Sequence, residues 1–190
     1  MNFELTGRVF NQSEKPGLEL LSGSTRITNV SLTNESITLR PVTPEDAAFL
    51  REVYKSSRGD DLRGLGWDEP RINEFLEMQY DAQRIFETTD HKAATDEIIL
   101  CEGESAGRLC VESRDTEIRC HDLALLPNFR NRGIGTLLLR RLQSQATKSR
   151  RSLGLQVLRF NRSVSLFERL GFVRTSESGS HLQMEWKPTD

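Results

Sequence analysis

Residues 123–136, reading LALLPNFRNRGIGT, constrain this chain more than any other stretch. An apolar run ends at Pro127, which cannot sit inside a paired strand. Arg130, Arg132, Gly133 and Gly135 follow, after which Ile134, Leu137, Leu138, Leu142 and Ala146 recur at helical spacing. The turn therefore joins a strand to a helix N-terminus, where unpaired N–H groups and the macrodipole favour an anion. Glycines without Cβ let the backbone approach such a ligand closely. These features predict a phosphate site, against the plainer reading of a helix start. The turn lacks the Lys-Ser or Lys-Thr of a P-loop and the third glycine of a dinucleotide fingerprint, which removes both alternatives.

A second segment, NRSVSLFERLGF at 161–172, places an asparagine before a short helical run that closes with Gly171-Phe172. With both segments in order, the chain resembles the GNAT superfamily of N-acetyltransferases. Arg130-x-x-Gly133-x-Gly135 after Leu125-Leu126-Pro127 is similar to that superfamily's acetyl-CoA pyrophosphate loop, and 161–172 to its later motif. The resemblance covers roughly 37–187 and departs at Phe167, where the family usually carries a tyrosine.

The resemblance implies an α/β (α+β) class, the GNAT acyl-CoA N-acyltransferase fold, with a central mixed, mostly antiparallel sheet flanked by helices. It implies acetyl-CoA as co-substrate and transfer of acetyl to a primary amine of an unidentified acceptor. By position, the backbone of Leu123, Ala124 and Leu125 would meet the pantetheine arm. Arg130, Asn131, Arg132, Gly133, Ile134, Gly135 and Thr136 would hold the pyrophosphate, and Asn161 would contact the cofactor. Asn161 has a second reading, since asparagine is a good N-cap and a helix follows. The alternative function is a catalytically weakened acyl-CoA-binding sensor or interaction module, motivated by Phe167.

With 36% hydrophobic and 28% charged residues, the 190-residue chain is expected to form a globular domain at 37–190 after a flexible extension at 1–36, which shows no sustained periodicity. A net charge of −2 offers no general attraction to nucleic acid or an anionic membrane. No apolar run is long enough to span a bilayer and no secretory signal opens the chain, so a cytoplasmic location is expected. Cys101, Cys110 and Cys120 are odd in number and show no C-x-x-C spacing, so buried thiols and no metal are expected. The expected partner is a small-molecule or peptide amine acceptor, without nucleic acid or membrane, and a homodimer is left open.

Along the chain, a strand at 37–42 precedes a helix from Pro44 to about Ser56, capped by Thr43. Residues 57–69, SRGDDLRGLGWDE, read as a loop rich in glycine and acids that could attract a cationic amine or simply be solvated. A helix over 70–87, strands at 96–101 and 106–113 about a Glu102-Gly103-Glu104 turn, and a strand at 117–126 lead into the phosphate turn. Then come the helix ending near 148–151, a strand at 153–158, a helix at 162–170 and a final hairpin.

Acetyl transfer needs a base, because a lysine-like amine with pKa ~10.4 is protonated at neutral pH. The usual tyrosine proton donor is absent at Phe167. Strand alternation puts Glu117, Arg119 and His121 on one face and Ile118, Cys120 and Asp122 on the other. Family members often place a base on this strand, in register with Arg119 or His121. His121 and Glu117 are therefore the candidate bases, His121 first. The alternatives are that His121 only packs at the sheet surface and that Glu117 pairs with Arg119.

Overall fold

The structure is a computed structural model that describes residues 36–63, 66–90 and 93–189. The expected extension at 1–36 lies, apart from Ser36, outside the described residues. Seven strands form one sheet: β1 Ile37–Pro41, β2 Ala94–Cys101, β3 Glu104–Ser113, β4 Glu117–Leu125, β5 Ser152–Leu158, β6 Val173–Ser178 and β7 His181–Trp186. Their order is β1-β2-β3-β4-β5-β7-β6. All neighbours are antiparallel except β4 and β5. That pair is parallel because a helix, α3 (Ile134–Ser149), separates them in sequence and supplies the crossover. The mixed, mostly antiparallel sheet expected from the sequence is therefore present. α1 (Ala47–Arg63), α2 (Glu69–Asp90) and α4 (Val164–Arg169) complete the set.

Helices cover both faces. Ile134, Leu138, Leu139, Leu142 and Ala146 of α3 bury one stripe against Ile99, Leu109, Ile118 and Leu153 of the sheet. Leu50, Tyr54, Ile72, Leu76 and Tyr80 of α1 and α2 pack with Ile98 on the other side. The adjacent residues Ile98 and Ile99 join opposite clusters, as the two-residue period of a strand requires. Burying such side chains stabilises by roughly 1.5–3 kcal/mol each. The β2–β3 turn has Glu102 at φ 54° and Gly103 at φ 85°, the paired positive angles of a tight hairpin. All three cysteines are buried and free.

The loop expected at 57–69 is shorter. α1 continues through Gly59 to Arg63, and Gly59 is buried. Ser56 and Ser57 donate to the carbonyls of Val53 and Tyr54, so this turn is satisfied internally, and packing overrides the weak helix propensity of glycine. Of the loop acids, Asp68 caps α2 by accepting the N–H of Arg71 at 3.0 Å, and Glu69 begins that helix. The side chains of Asp60 and Asp61 lie outside the described residues.

Two irregularities in β4 position the site. Register with β3 jumps from Cys110↔Asp122 to Val111↔Cys120, which leaves His121 as an extra, bulged residue. Pairing with β5 runs only from Glu117↔Ser152 to Cys120↔Leu155, and beyond it the two strands part.

Candidate active site

The parted strands enclose a cleft of about 240 Å³, walled by 120–124 of β4 and 155–158 of β5 and closed at one end by Asn161, Ser163 and Phe167. Past Cys120 the edge of β4 that faces β5 has no ladder, so its main-chain N–H and C=O groups are presented to the cleft. Hollows of about 710 Å³ along α3 and 390 Å³ between α1 and α2 are larger, but each is lined by helices alone and neither adjoins open backbone.

β4 leads from the cleft into the glycine turn. Asn131 at φ 59° and Gly133 at φ 87° hold left-handed conformations, and the first bond of α3 runs from the Leu137 N–H to the Gly133 carbonyl at 2.9 Å. The N–H groups that precede it are the orphan donors of a helix N-terminus. Gly133 is explained by its own backbone angle. Gly135 is not, because a Cβ there would meet only the Leu166 side chain at 3.8 Å. Nothing in the chain's own packing therefore accounts for Gly135. That fits a phosphate drawn against the turn.

The arginines of the turn divide. Arg130 points inward, donating from Nε to the Leu125 carbonyl and from Nη2 to the Ser56 carbonyl, both at 2.8 Å. It ties α1 to the turn. Arg132 is exposed, its guanidinium 5.5 Å from the centre of the Phe129 ring. Leu123 and Ala124 line the cleft, whereas the Leu125 carbonyl is engaged by Arg130. Ile134 is buried and Thr136 half-buried, so Ile134 offers its backbone alone. The Asn161 Oδ1 accepts the Ser163 N–H at 2.9 Å, an Asx turn ahead of α4, whose N-cap is Ser163 and not Asn161, and the residue borders the cleft.

His121 lines the cleft, its side chain 14% exposed. Its Nε2 lies 2.9 Å from the Glu112 carboxylate on β3, which also accepts Nε and Nη2 of Arg114 at 3.0 and 2.7 Å. Those hydrogen bonds, that of Arg114 above all, depress the Glu112 carboxyl from its ordinary 4.5 to about 2. With Glu112 ionised, the proton of neutral His121 belongs on Nε2 and the lone pair on Nδ1.

Glu117, the second candidate base, is absent from this cleft. Its carboxylate lies over Gly154, where a Cβ would come within 1.8 Å of Oε1, and it pairs with Arg119 at 3.4 Å and Arg114 at 3.5 Å. The alternation argument that set Asp122 on the opposite face is corrected by the bulge. Ile118 and Cys120 point into the α3 core, but so does Leu123, so parity inverts across His121. Asp122 consequently borders the cleft, its carboxylate 3.4 Å from Arg108, which is itself buried and paired with Asp96 at 2.7 Å. Cys120 has its thiol pushed up to about 12 by burial, so it is no proton source near neutrality.

Sequence reading did not single out Arg58 or His181 as site residues, yet both line the cleft. Arg58 arrives because α1 extends through what reads as a loop. His181 arrives because it stands opposite Leu158 on the neighbouring strand. No local signal marks either one.

Residues 93–174 match the family model described as an acetyltransferase (GNAT) domain. The fold is that of the acetyltransferase (GNAT) domain. Solved structures with the same fold include the PaiA N-acetyltransferase from Thermoplasma acidophilum in complex with coenzyme A, at 23% identity and a TM-score of 0.63, covering 80% of this chain and 99% of that one. An acetyltransferase from Thermus thermophilus follows at 20% and 0.60, covering 80% and 97%. The ribosomal-protein-S18-alanine N-acetyltransferase from Escherichia coli follows at 16% and 0.55, covering 80% and 93%. No curated protein matches the sequence.

Proposed function

We propose that residues 37–190 form a cytoplasmic N-acetyltransferase that moves the acetyl group of acetyl-CoA to a primary amine. The observation carrying this reading is the split between β4 and β5, a cleft walled in part by His121 on the strand that leads into the glycine turn. Bound acetyl-CoA supplies a thioester carbonyl open to attack by a neutral amine. The N–H groups of 131–136, with Arg132, hold the pyrophosphate, and the open edge of β4 at Leu123 and Ala124 hydrogen-bonds the amide arm. Asn161 donates its side-chain N–H to that arm.

His121 removes the proton from the acceptor nitrogen at Nδ1, and the Glu112 carboxylate on Nε2 stabilises the imidazolium that forms. N–H donors on the free edge of β4 favour the oxyanion. The carbon–sulfur bond then breaks. Phe167 has no proton to give, so the sulfur leaves as a thiolate, tolerable at a thiol pKa of ~8.5, and takes its proton from water. Starting from the ammonium, the acceptor nitrogen gives up two protons, one to solvent before attack and one to His121 during it, and the thiolate recovers one, so the net products are the acetylated amine, CoA thiol and one proton.

The test is thiol release from acetyl-CoA against a panel of amines, with mass detection of the acetylated product. Thiol formed in step with acetylated amine supports the reading. Tight acetyl-CoA binding without turnover on any amine would favour a donor-binding module, the reading that Phe167 motivates.

A further inference from the structure

We infer that the acceptor is a compact amine that also bears a carboxylate, an amino-acid-like zwitterion whose anionic end is held by Arg58. The inference rests on the acetyl-transfer reading above and names the substrate class of that site. Arg58 lines the cleft from α1 and is half-buried. Its guanidinium stacks 4.6 Å over the Tyr54 ring and donates from Nη2 to the Gln83 side-chain oxygen at 3.2 Å. Both partners are neutral, and Arg58 has no carboxylate within ion-pair distance among the described residues.

Arg108, Arg114, Arg119 and Arg51 differ. Arg108 is paired with Asp96 and Asp122, Arg114 with Glu112, and Arg119 with Glu117. Arg51, about two turns earlier on α1, is paired with Glu77. A cation withdrawn from water without a counter-ion is costly, and a planar guanidinium fixed by stacking is ready to meet a carboxylate with two parallel N–H donors. Within the same cleft, Asp122 and His121 suit an ammonium. Opposite charges in one cleft match an amine and a carboxylate on one small molecule. A polycationic acceptor would bring a second positive charge toward Arg58 and is disfavoured.

The experiment compares each of a set of free amino acids with the amine formed by removing its carboxyl group, using thiol release from acetyl-CoA. Amino acids should be used with kcat/KM roughly 10- to 100-fold higher, the range expected for hydrogen bonds to a charged partner. Arg58→Gln should raise KM for the preferred amino acid by a similar factor, with kcat at saturation, use of the decarboxylated amine and acetyl-CoA affinity by calorimetry unchanged. Arg58→Lys should recover part of the loss, which a merely misfolded variant would not allow. Equal or better use of the decarboxylated amines overturns the inference and leaves acetyl transfer standing. So does an equal loss for both acceptors in Arg58→Gln, or weakened acetyl-CoA binding, which would assign Arg58 to the donor. No thiol release with any amine overturns the transfer reading and this inference with it.

Discussion

The two halves of β4 carry similar residue types and do different work. From Glu117 to Cys120 the strand is paired on both edges, and its charged side chains are occupied by the sheet: Glu117 with Arg119 and Arg114, Arg119 with Gln183 at 2.5 Å. Past Cys120 it is paired with β3 alone, and its polar residues His121 and Asp122 border the cleft. What separates a structural glutamate from a candidate base, four residues apart, is the partner strand. Backbone pairing decides which side chains are available for chemistry, and residue identity decides only what they could do once available.

The largest expected effect sharpens the contrast on the donor side. A ligand bound only by the folded state stabilises by RT ln(1 + [L]/Kd), roughly 2.7 kcal/mol at a hundredfold excess over Kd. Gly133→Asp should abolish that gain, since it places a Cβ at φ 87° and a negative charge where phosphate is drawn. Gly135→Ala is the subtler partner: with only Leu166 at 3.8 Å, the unliganded protein should be as stable or more so, by up to ~1 kcal/mol, while acetyl-CoA binds less tightly. A ligand-induced rise in Tm that survives Gly133→Asp would remove this turn from the donor site.

Next in size is the direct comparison along β4. His121→Ala should lower kcat by roughly 10²-fold with acetyl-CoA affinity unchanged, because it deletes a proton acceptor within the cleft. Glu117→Gln should leave kcat within about twofold, as a group outside the cleft makes no difference to proton transfer there. If both variants lose activity to the same extent, the two halves of the strand are not functionally distinct. If neither does, Asp122 becomes the first residue to test.

The strand, glycine turn and helix start at 123–136 were legible in the sequence because they are local. One uninterrupted stretch, 123–136, contains the end of the strand, the left-handed turn and the helix start, and each leaves its own mark in residue type. The mixed, mostly antiparallel character of the sheet was legible for a related reason, since the long segment between β4 and β5 allows a parallel crossover and the Glu102-Gly103 turn allows only a hairpin. The cleft joins residues from α1, β4, β5 and β7, with Glu112 of β3 behind His121. Its key event, the bulge at His121, has no glycine or other local mark, so simple alternation put Asp122 on the wrong face. Arg130 shows a further limit: its position in the motif suggests a phosphate-facing charge, whereas its hydrogen bonds to Leu125 and Ser56 join two elements. Orientation of a long side chain depends on which carbonyls the fold brings within reach, and that is non-local.

The smallest expected effect concerns Glu112, which links the occupied and available halves by holding Arg114 with one set of contacts and His121 with another. Its carboxyl is depressed in the folded state, so the charged form is favoured by folding. The sign follows: its contribution to stability is fully present above the ordinary value of 4.5 and is lost as pH falls toward about 2. Asp46, held by Arg40 and the Thr43 N–H, is depressed as well and gives the acid limb a component that Glu112 does not supply. Denaturant unfolding at pH 7, 4.5 and 3 should therefore show Glu112→Gln less stable than wild type at pH 7, with the gap narrowing steadily below 4.5 while both proteins still weaken. The same variant should lower kcat less than His121→Ala does, because the imidazole remains and only its orientation and counter-charge are lost. A stability gap that stays constant down to pH 3 would mean that Glu112 acts by packing and neutral hydrogen bonding, and that its charge neither supports the fold nor favours the imidazolium of His121.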